Sequence, residues 1–189
     1  MRHPLTILAL LAVAAPCLAQ DPFSSLEMRI QATQNVNQNI LHDHWHPGRG
    51  MKASLVTPLY YGDWGISLGV HRFDARSDVP GFGALWISSD WGVRLPLGYR
   101  FALTPTVGIG NYRMSFDDAV TTFSGESSES DFVSSASLRA SLRIGRDWFL
   151  FGQAERLRVQ TRPLMQLWFV SAGIGYQMET GRLLKAILE

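Results

Sequence analysis

Three histidines alternate along His42-Asp43-His44-Trp45-His46. In an extended segment residues two apart share a face, so His42, His44 and His46 would aim three imidazoles at one Zn²⁺ or Cu²⁺. The same tract also fits a polar loop tip in solvent, because a His-rich stretch is compositional evidence only. A second group is acidic. Asp117, Asp118, Glu126, Glu129 and Asp131 fall in one stretch without Lys or Arg. They suit Ca²⁺ or Mg²⁺ by ligand type, but they lack the regular spacing and turn glycine of a calcium loop. A third group is dispersed: Glu27, Arg29, Lys52, His71, Asp90, Arg94, Arg139, Arg143 and Glu155, set among Gly, Ser, Thr and Gln. Phosphate-binding glycine loops, HExxH and GxSxG are absent.

Composition limits what those groups do. The chain has 189 residues, a formal net charge of +1 and only 17% charged residues. Near-neutral charge removes the clustered basic face of a nucleic-acid binder. Charge is also sparse against the quarter found in ordinary soluble domains. Yet 46% of residues are hydrophobic, with 10 Phe, 6 Trp and 5 Tyr. Beyond the first twenty residues no apolar run is long enough to cross a bilayer as a helix.

That first stretch, MRHPLTILALLAVAAPCLAQ, reads as an export signal. Arg2 supplies the basic start, Leu5–Ala15 the apolar core, and Leu18-Ala19 the small-residue cleavage end. Residues 1–19 are therefore expected to be removed. Cys17, the only cysteine, would go with them, leaving no disulfide, no thiolate ligand and no thiol nucleophile. No cofactor is expected.

The remainder repeats about ten residues of apolar/polar alternation followed by a turn, the period of a strand with two different faces. Ala136, Leu138, Ala140, Leu142 and Ile144, for example, alternate with Ser135, Ser137, Arg139, Ser141 and Arg143. The pattern predicts eight strands near 25–36, 51–61, 64–75, 85–99, 104–116, 132–144, 148–160 and 166–178. The seventh is the least regular, since Phe149, Phe151, Gln153 and Glu155 share one face, and a bulge is expected there. Long connections (37–50, 76–84, 117–131) alternate with tight ones (61–64, 98–103, 145–147). They gather long loops at one end of the sheet and short turns at the other.

The faces differ in a telling way. The polar one is built of small residues with interspersed charges, which suits a narrow lumen better than a water-exposed surface rich in Lys and Glu. Aromatics fall at strand ends: Tyr61, Trp64, Tyr99, Trp148 and Tyr176 towards the short turns, Trp86, Phe132 and Trp168 towards the long loops. Such belts mark the two interfaces of a bilayer-spanning barrel. In hydrocarbon every strand N–H and C=O needs a partner, so the sheet must close. The expected fold is an all-β, eight-stranded antiparallel up-and-down transmembrane β-barrel over residues 20–178, with a short periplasmic tail at 179–189. The dispersed charges, His71 included, would fill its lumen as one polar network.

With these features the chain resembles the small eight-stranded outer-membrane barrels, the group containing the OmpA transmembrane domain and OmpX. Its last strand, Ser171-Ala172-Gly173-Ile174-Gly175-Tyr176-Gln177-Met178, is similar to the signal those proteins present to the barrel-assembly machinery. Met178 stands where the family prefers an aromatic residue. The resemblance implies export to the outer membrane, contact with lipid and lipopolysaccharide, a monomer, and a structural or adhesive role with any extracellular ligand held at the long loops. Two related groups are enzymes. Lipid A deacylases use a His on a late strand, and no histidine follows His71 here. Lipid A palmitoyltransferases use a loop His with Asp and Ser, for which this chain offers His42, His44 and His46 and then Ser77-Asp78 in reversed order. Two further functions fit the same alternation: a narrow channel, and a soluble periplasmic calyx for an apolar ligand.

Overall fold

The computed structural model describes residues 21–36, 41–76, 79–117, 128–162 and 164–180. The expected signal segment, Ser77, Asp78, Asp118, Glu126 and most of the expected tail lie outside the described residues. Ten strands run in chain order: β1 (Ser25–Asn35), β2 (Trp45–Pro47), β3 (Arg49–Leu59), β4 (Gly62–Ala75), β5 (Phe82–Gly92), β6 (Leu95–Pro96), β7 (Phe101–Phe116), β8 (Ser128–Arg143), β9 (Trp148–Val159) and β10 (Met165–Glu179). Every neighbour pair is antiparallel. β1 pairs with both β3 and β10, so the eight long strands close on themselves and leave no edge. Closure satisfies the whole ladder internally, as a low-dielectric exterior demands.

Side-chain alternation is expressed as two surfaces. Met28, Ile30, Leu55, Ile66, Leu68, Val70, Ile87, Val107, Ile109, Leu138, Leu150, Val170 and Ile174 all point outward and are exposed. A band of apolar side chains on the outside of a closed sheet inverts the arrangement of a soluble barrel. The inner face holds the buried polar residues and a buried aromatic cluster together.

The expected boundaries shift in places. The fourth segment ends at Gly92, because Val93 lies opposite Pro105, which accepts from the Val93 N–H (3.1 Å) but has no N–H to return. The register nevertheless continues into β6, where Leu95 pairs with Leu103. The last strand runs to Glu179, one residue past the expected barrel end. β9 pairs without interruption on both sides, so the bulge expected there is absent. Phe149, Phe151, Gln153 and Glu155 share a face because all four point into the lumen. The extra residue sits elsewhere. Three residues, 48–50, face two, 71–72, between the Pro47↔Phe73 and Met51↔Val70 pairs, a bulge of the kind that re-aims neighbouring side chains.

That bulge links β3 to β2, so the expected long loop 37–50 is partly folded. A single helical turn, Leu41–His44, leads into β2, which lies antiparallel to the top of β4. At the opposite end the β3–β4 connection is a two-residue turn, Tyr60-Tyr61, between paired Leu59 and Gly62. Tyr60 takes a left-handed φ of 46° there.

Candidate functional site

The site with convergent polar chemistry is the lumen, and it is divided. Its half nearer the short turns is charged. Glu27 on β1 is its centre: its carboxylate accepts from Arg29 and, at 2.5 Å, from Arg94, and Arg139 Nη1 lies 3.6 Å away. Arg94 also reaches Asp63, 3.1 Å from Nη2. Lys52 Nζ donates to Glu155 across the barrel at 2.7 Å. Ser67 donates to Asp90 and shares a 2.8 Å bond with Ser54. Arg29, Lys52, Arg94 and Arg139 thus pair with Glu27, Asp63 and Glu155, while Asp90 is held by the Ser67 hydroxyl. Buried charges persist only when paired in this way. Between them lies a cavity of about 20 Å³, lined in part by Lys52, Ser67, Asp90, Arg139 and Glu155. That is room for one water, not for a stream of ions. Beneath the charges, Phe149 and Phe151 are buried, and the Arg139 guanidinium stands 5.9 Å over the Phe151 ring.

The half nearer the long loops is aromatic. Phe73, Phe82, Trp86, Tyr112 and Phe169 are all at most 2% exposed, with Val133, Leu157, Val159 and Leu167 beside them. Trp86 is stacked 6.2 Å from Tyr112 and 5.9 Å from Phe169, and Phe73 stacks on Phe82 at 4.7 Å. The Trp86 ring occupies the space a β-carbon would need at Gly69 on the neighbouring strand. A bulky ring packs across this narrow barrel only because its partner there is glycine. Trp45, carried inward by β2, packs on Phe82 at 5.5 Å and donates to the Pro80 carbonyl at 2.7 Å. The top of the lumen is therefore plugged.

The expected polar network is thus narrower than the sequence implies. Glu27, Arg29, Lys52, Asp90, Arg94, Arg139 and Glu155 do come together in the lower lumen. His71 is in the lumen but belongs to the aromatic half: its Nε2 is 2.7 Å from Thr33 Oγ1, and its ring lies 4.4 Å from Phe169 and 5.7 Å from Trp86. Arg143 is exposed at the short-turn rim, where Nη2 donates to Gln177 Oε1 at 3.3 Å. Trp86, expected in the outer aromatic belt, is 1% exposed and inside. Tyr61, Tyr99, Trp148, Phe132 and Trp168 are exposed at their expected ends.

The three loop histidines do not converge. His42 and His44 sit on one helical turn, where residues two apart diverge, and His46 follows on β2. His42 Nε2 instead meets Asn35 Oδ1 at 2.9 Å. Among the described residues no three His, Cys, Asp or Glu side chains are grouped to hold a metal ion. Of the acidic stretch, Asp117 pairs with Arg72 at 2.6 Å, while Glu129 and Asp131 line an open concavity with Arg113.

Sequence reasoning missed Asp63, assigned to a turn, and the whole aromatic plug. The signal exists as phase: Asp63, Ser67 and His71 share one parity on β4, and Phe73 continues it. Leu157 and Val159 likewise continue the parity of Glu155 on β9.

No protein-family model matches the chain, and no curated protein does. Solved structures do. The chain is similar to the Neisserial surface protein A, with a TM-score of 0.62 at 8% identity over 85% of this chain and 100% of that one. It is similar to Ail, the attachment invasion locus protein of Yersinia pestis, at 0.53 and 13% over 82% of this chain and 99% of that one. The N-terminal β-barrel domain of Pseudomonas aeruginosa OprF gives 0.52 and 11% over 84% and 100%. This is the fold of the small eight-stranded outer-membrane barrels. Identities this low establish shape alone, and function must be argued from the site.

Proposed function

We propose that this chain is an integral outer-membrane protein whose barrel is a closed scaffold and whose role is structural or adhesive, exercised through the long-loop end. The observation that carries the reading is the pairing of an apolar exterior with a filled interior. Outward leucines, isoleucines and valines require hydrocarbon around the sheet. Inside, paired charges below and stacked rings above leave no continuous aqueous path. Variable surface loops on a rigid scaffold are the usual place for binding, and one structural neighbour is itself named for attachment and invasion.

In this reading residues 1–19 direct export, Ser171–Met178 on the closing strand β10 is offered to the assembly machinery, and lipid with lipopolysaccharide surrounds a monomer. Catalysis has no support in the lumen: Glu27, Asp63 and Glu155 are ion-paired, Asp90 accepts from Ser67, and His71 is held by Thr33 among aromatic rings. Two measurements test the proposal. Outer-membrane extracts should contain the protein as a band whose gel mobility changes on boiling. Purified protein in planar bilayers should give no stable conductance steps. Recovery from the soluble periplasm would overturn the membrane assignment, and large reproducible channel steps would overturn the filled lumen.

A further inference from the structure

The short-turn end carries a feature that a closed scaffold does not need. Two tight connections, 97–100 between β6 and β7 and 144–147 between β8 and β9, lie side by side because β7 pairs with β8 down to Phe101↔Leu142. Together they form an open concavity of about 450 Å³ lined by Tyr99, Arg100, Arg143, Ile144, Gly145 and Arg146. Three guanidinium-bearing side chains line it and no acidic one does. Asp147 adjoins Arg146 in the chain but is not part of the lining.

Its position is as informative as its charge. All three arginines are exposed at the rim, and Tyr99 is 97% exposed. The outer wall directly beside the concavity is apolar: Leu97, Phe101, Ile144 and Trp148 are all exposed there. Trp148 and Tyr176 pair at 4.8 Å on the same rim. A cationic concavity thus opens where an apolar wall begins, at the level of the aromatic belt.

The geometry points to a site for the phosphate headgroup of an anionic phospholipid in the leaflet on the short-turn side. Arginine presents planar donors that match phosphate oxygens in pairs. Phosphate in the concavity places the glycerol at Tyr99 and Ile144 and lays the acyl chains along Phe101 and Leu97. A lipid satisfies both halves of the surface at once, and a free phosphate satisfies only one. The site rests on the membrane-spanning reading, because its apolar wall has meaning only beside acyl chains.

The test uses the full chain refolded into vesicles of phosphatidylcholine and phosphatidylglycerol in equal parts. The lipid retained is counted by native mass spectrometry after detergent release. The wild-type chain should retain phosphatidylglycerol over phosphatidylcholine by about a hundredfold, as three arginines at a membrane surface provide. The R100Q/R143Q/R146Q variant should lose that preference, and R100K/R143K/R146K, which keeps the charge without the paired planar donors, should keep only part of it. Added inorganic phosphate should not displace the lipid; displacement would show that an anion alone is recognised and would overturn the lipid assignment. Equal retention by wild type and the glutamine variant, with both showing the folded band on unboiled gels, would overturn the site alone. Absence of a folded band from every chain in vesicles would overturn the site together with the barrel-in-membrane reading.

Discussion

The two halves of the lumen occupy one barrel and solve the same problem by opposite means. Both must fill a narrow space with inward side chains from eight strands. The lower half does so with ions whose charges cancel across the barrel, Lys52 to Glu155 and Arg94 to Glu27 and Asp63. The upper half does so with rings, Trp86 stacked between Tyr112 and Phe169. The difference teaches what each half depends on. Stacked rings are stabilised by contact and area and tolerate no loss of volume. Paired ions are stabilised by one another, against a large desolvation cost, and tolerate no loss of a single partner.

The largest expected effect follows in the aromatic half. Trp86→Ala removes a fully buried ring that touches strands on several sides, and the closed sheet cannot collapse around the void. Its cost should be about 3–5 kcal/mol, measured as a lower denaturant midpoint for unfolding in vesicles. The same variant should be the one that admits water to the upper lumen. If its conductance stays silent and its midpoint is unchanged, the aromatic cluster is not the plug.

In the charged half the corresponding change is Glu27→Gln, nearly isosteric. It leaves Arg29, Arg94 and Arg139 facing a neutral amide, with only Asp63 to answer Arg94. The expected loss is about 3 kcal/mol, at the low end for one member of a buried pair because the amide oxygen still accepts. A loss below about 1 kcal/mol would place the cluster with exposed, solvent-screened pairs and erase the contrast between the halves.

How much of this contrast is legible in the sequence depends on phase. Period-two alternation places Glu27, Lys52, Asp90, Arg139 and Glu155 on the inner face, and closure brings them together. The plug is hidden because alternation suggests polar inside and apolar outside along the whole strand. On β4 that holds up to His71, and then Phe73 takes an inward position. Near the long loops the lumen is covered by β2 and Trp45, so the environment inside becomes dry and the residue type switches without any break in period. The covering itself is not legible. It depends on the bulge at residues 48–50, where three residues face two, and a register step of that kind leaves no mark on hydropathy. The expected histidine cluster fails for a related reason: residues spaced by two converge only in extended chain, and Leu41–His44 is helical.

The smallest expected effect is also the one that separates the two halves most sharply. Lys52 and Glu155 are each at most 4% exposed and meet at 2.7 Å. Replacing either alone strands a buried charge. Replacing both, as Lys52→Met with Glu155→Leu, removes the attraction and the desolvation cost together and keeps the volume. The double variant should therefore unfold within about 1 kcal/mol of wild type, while Glu155→Leu alone loses about 3 kcal/mol. No such compensation exists above: pairing Trp86→Ala with Phe169→Ala enlarges one void, so those losses accumulate. A double-mutant cycle on each pair, read from denaturant midpoints in the same vesicles, measures the distinction directly. Coupling that restores stability in the charged half and deepens the loss in the aromatic half is the expected result. The same coupling in both would mean that the lumen is filled by volume alone and that its charges are passengers.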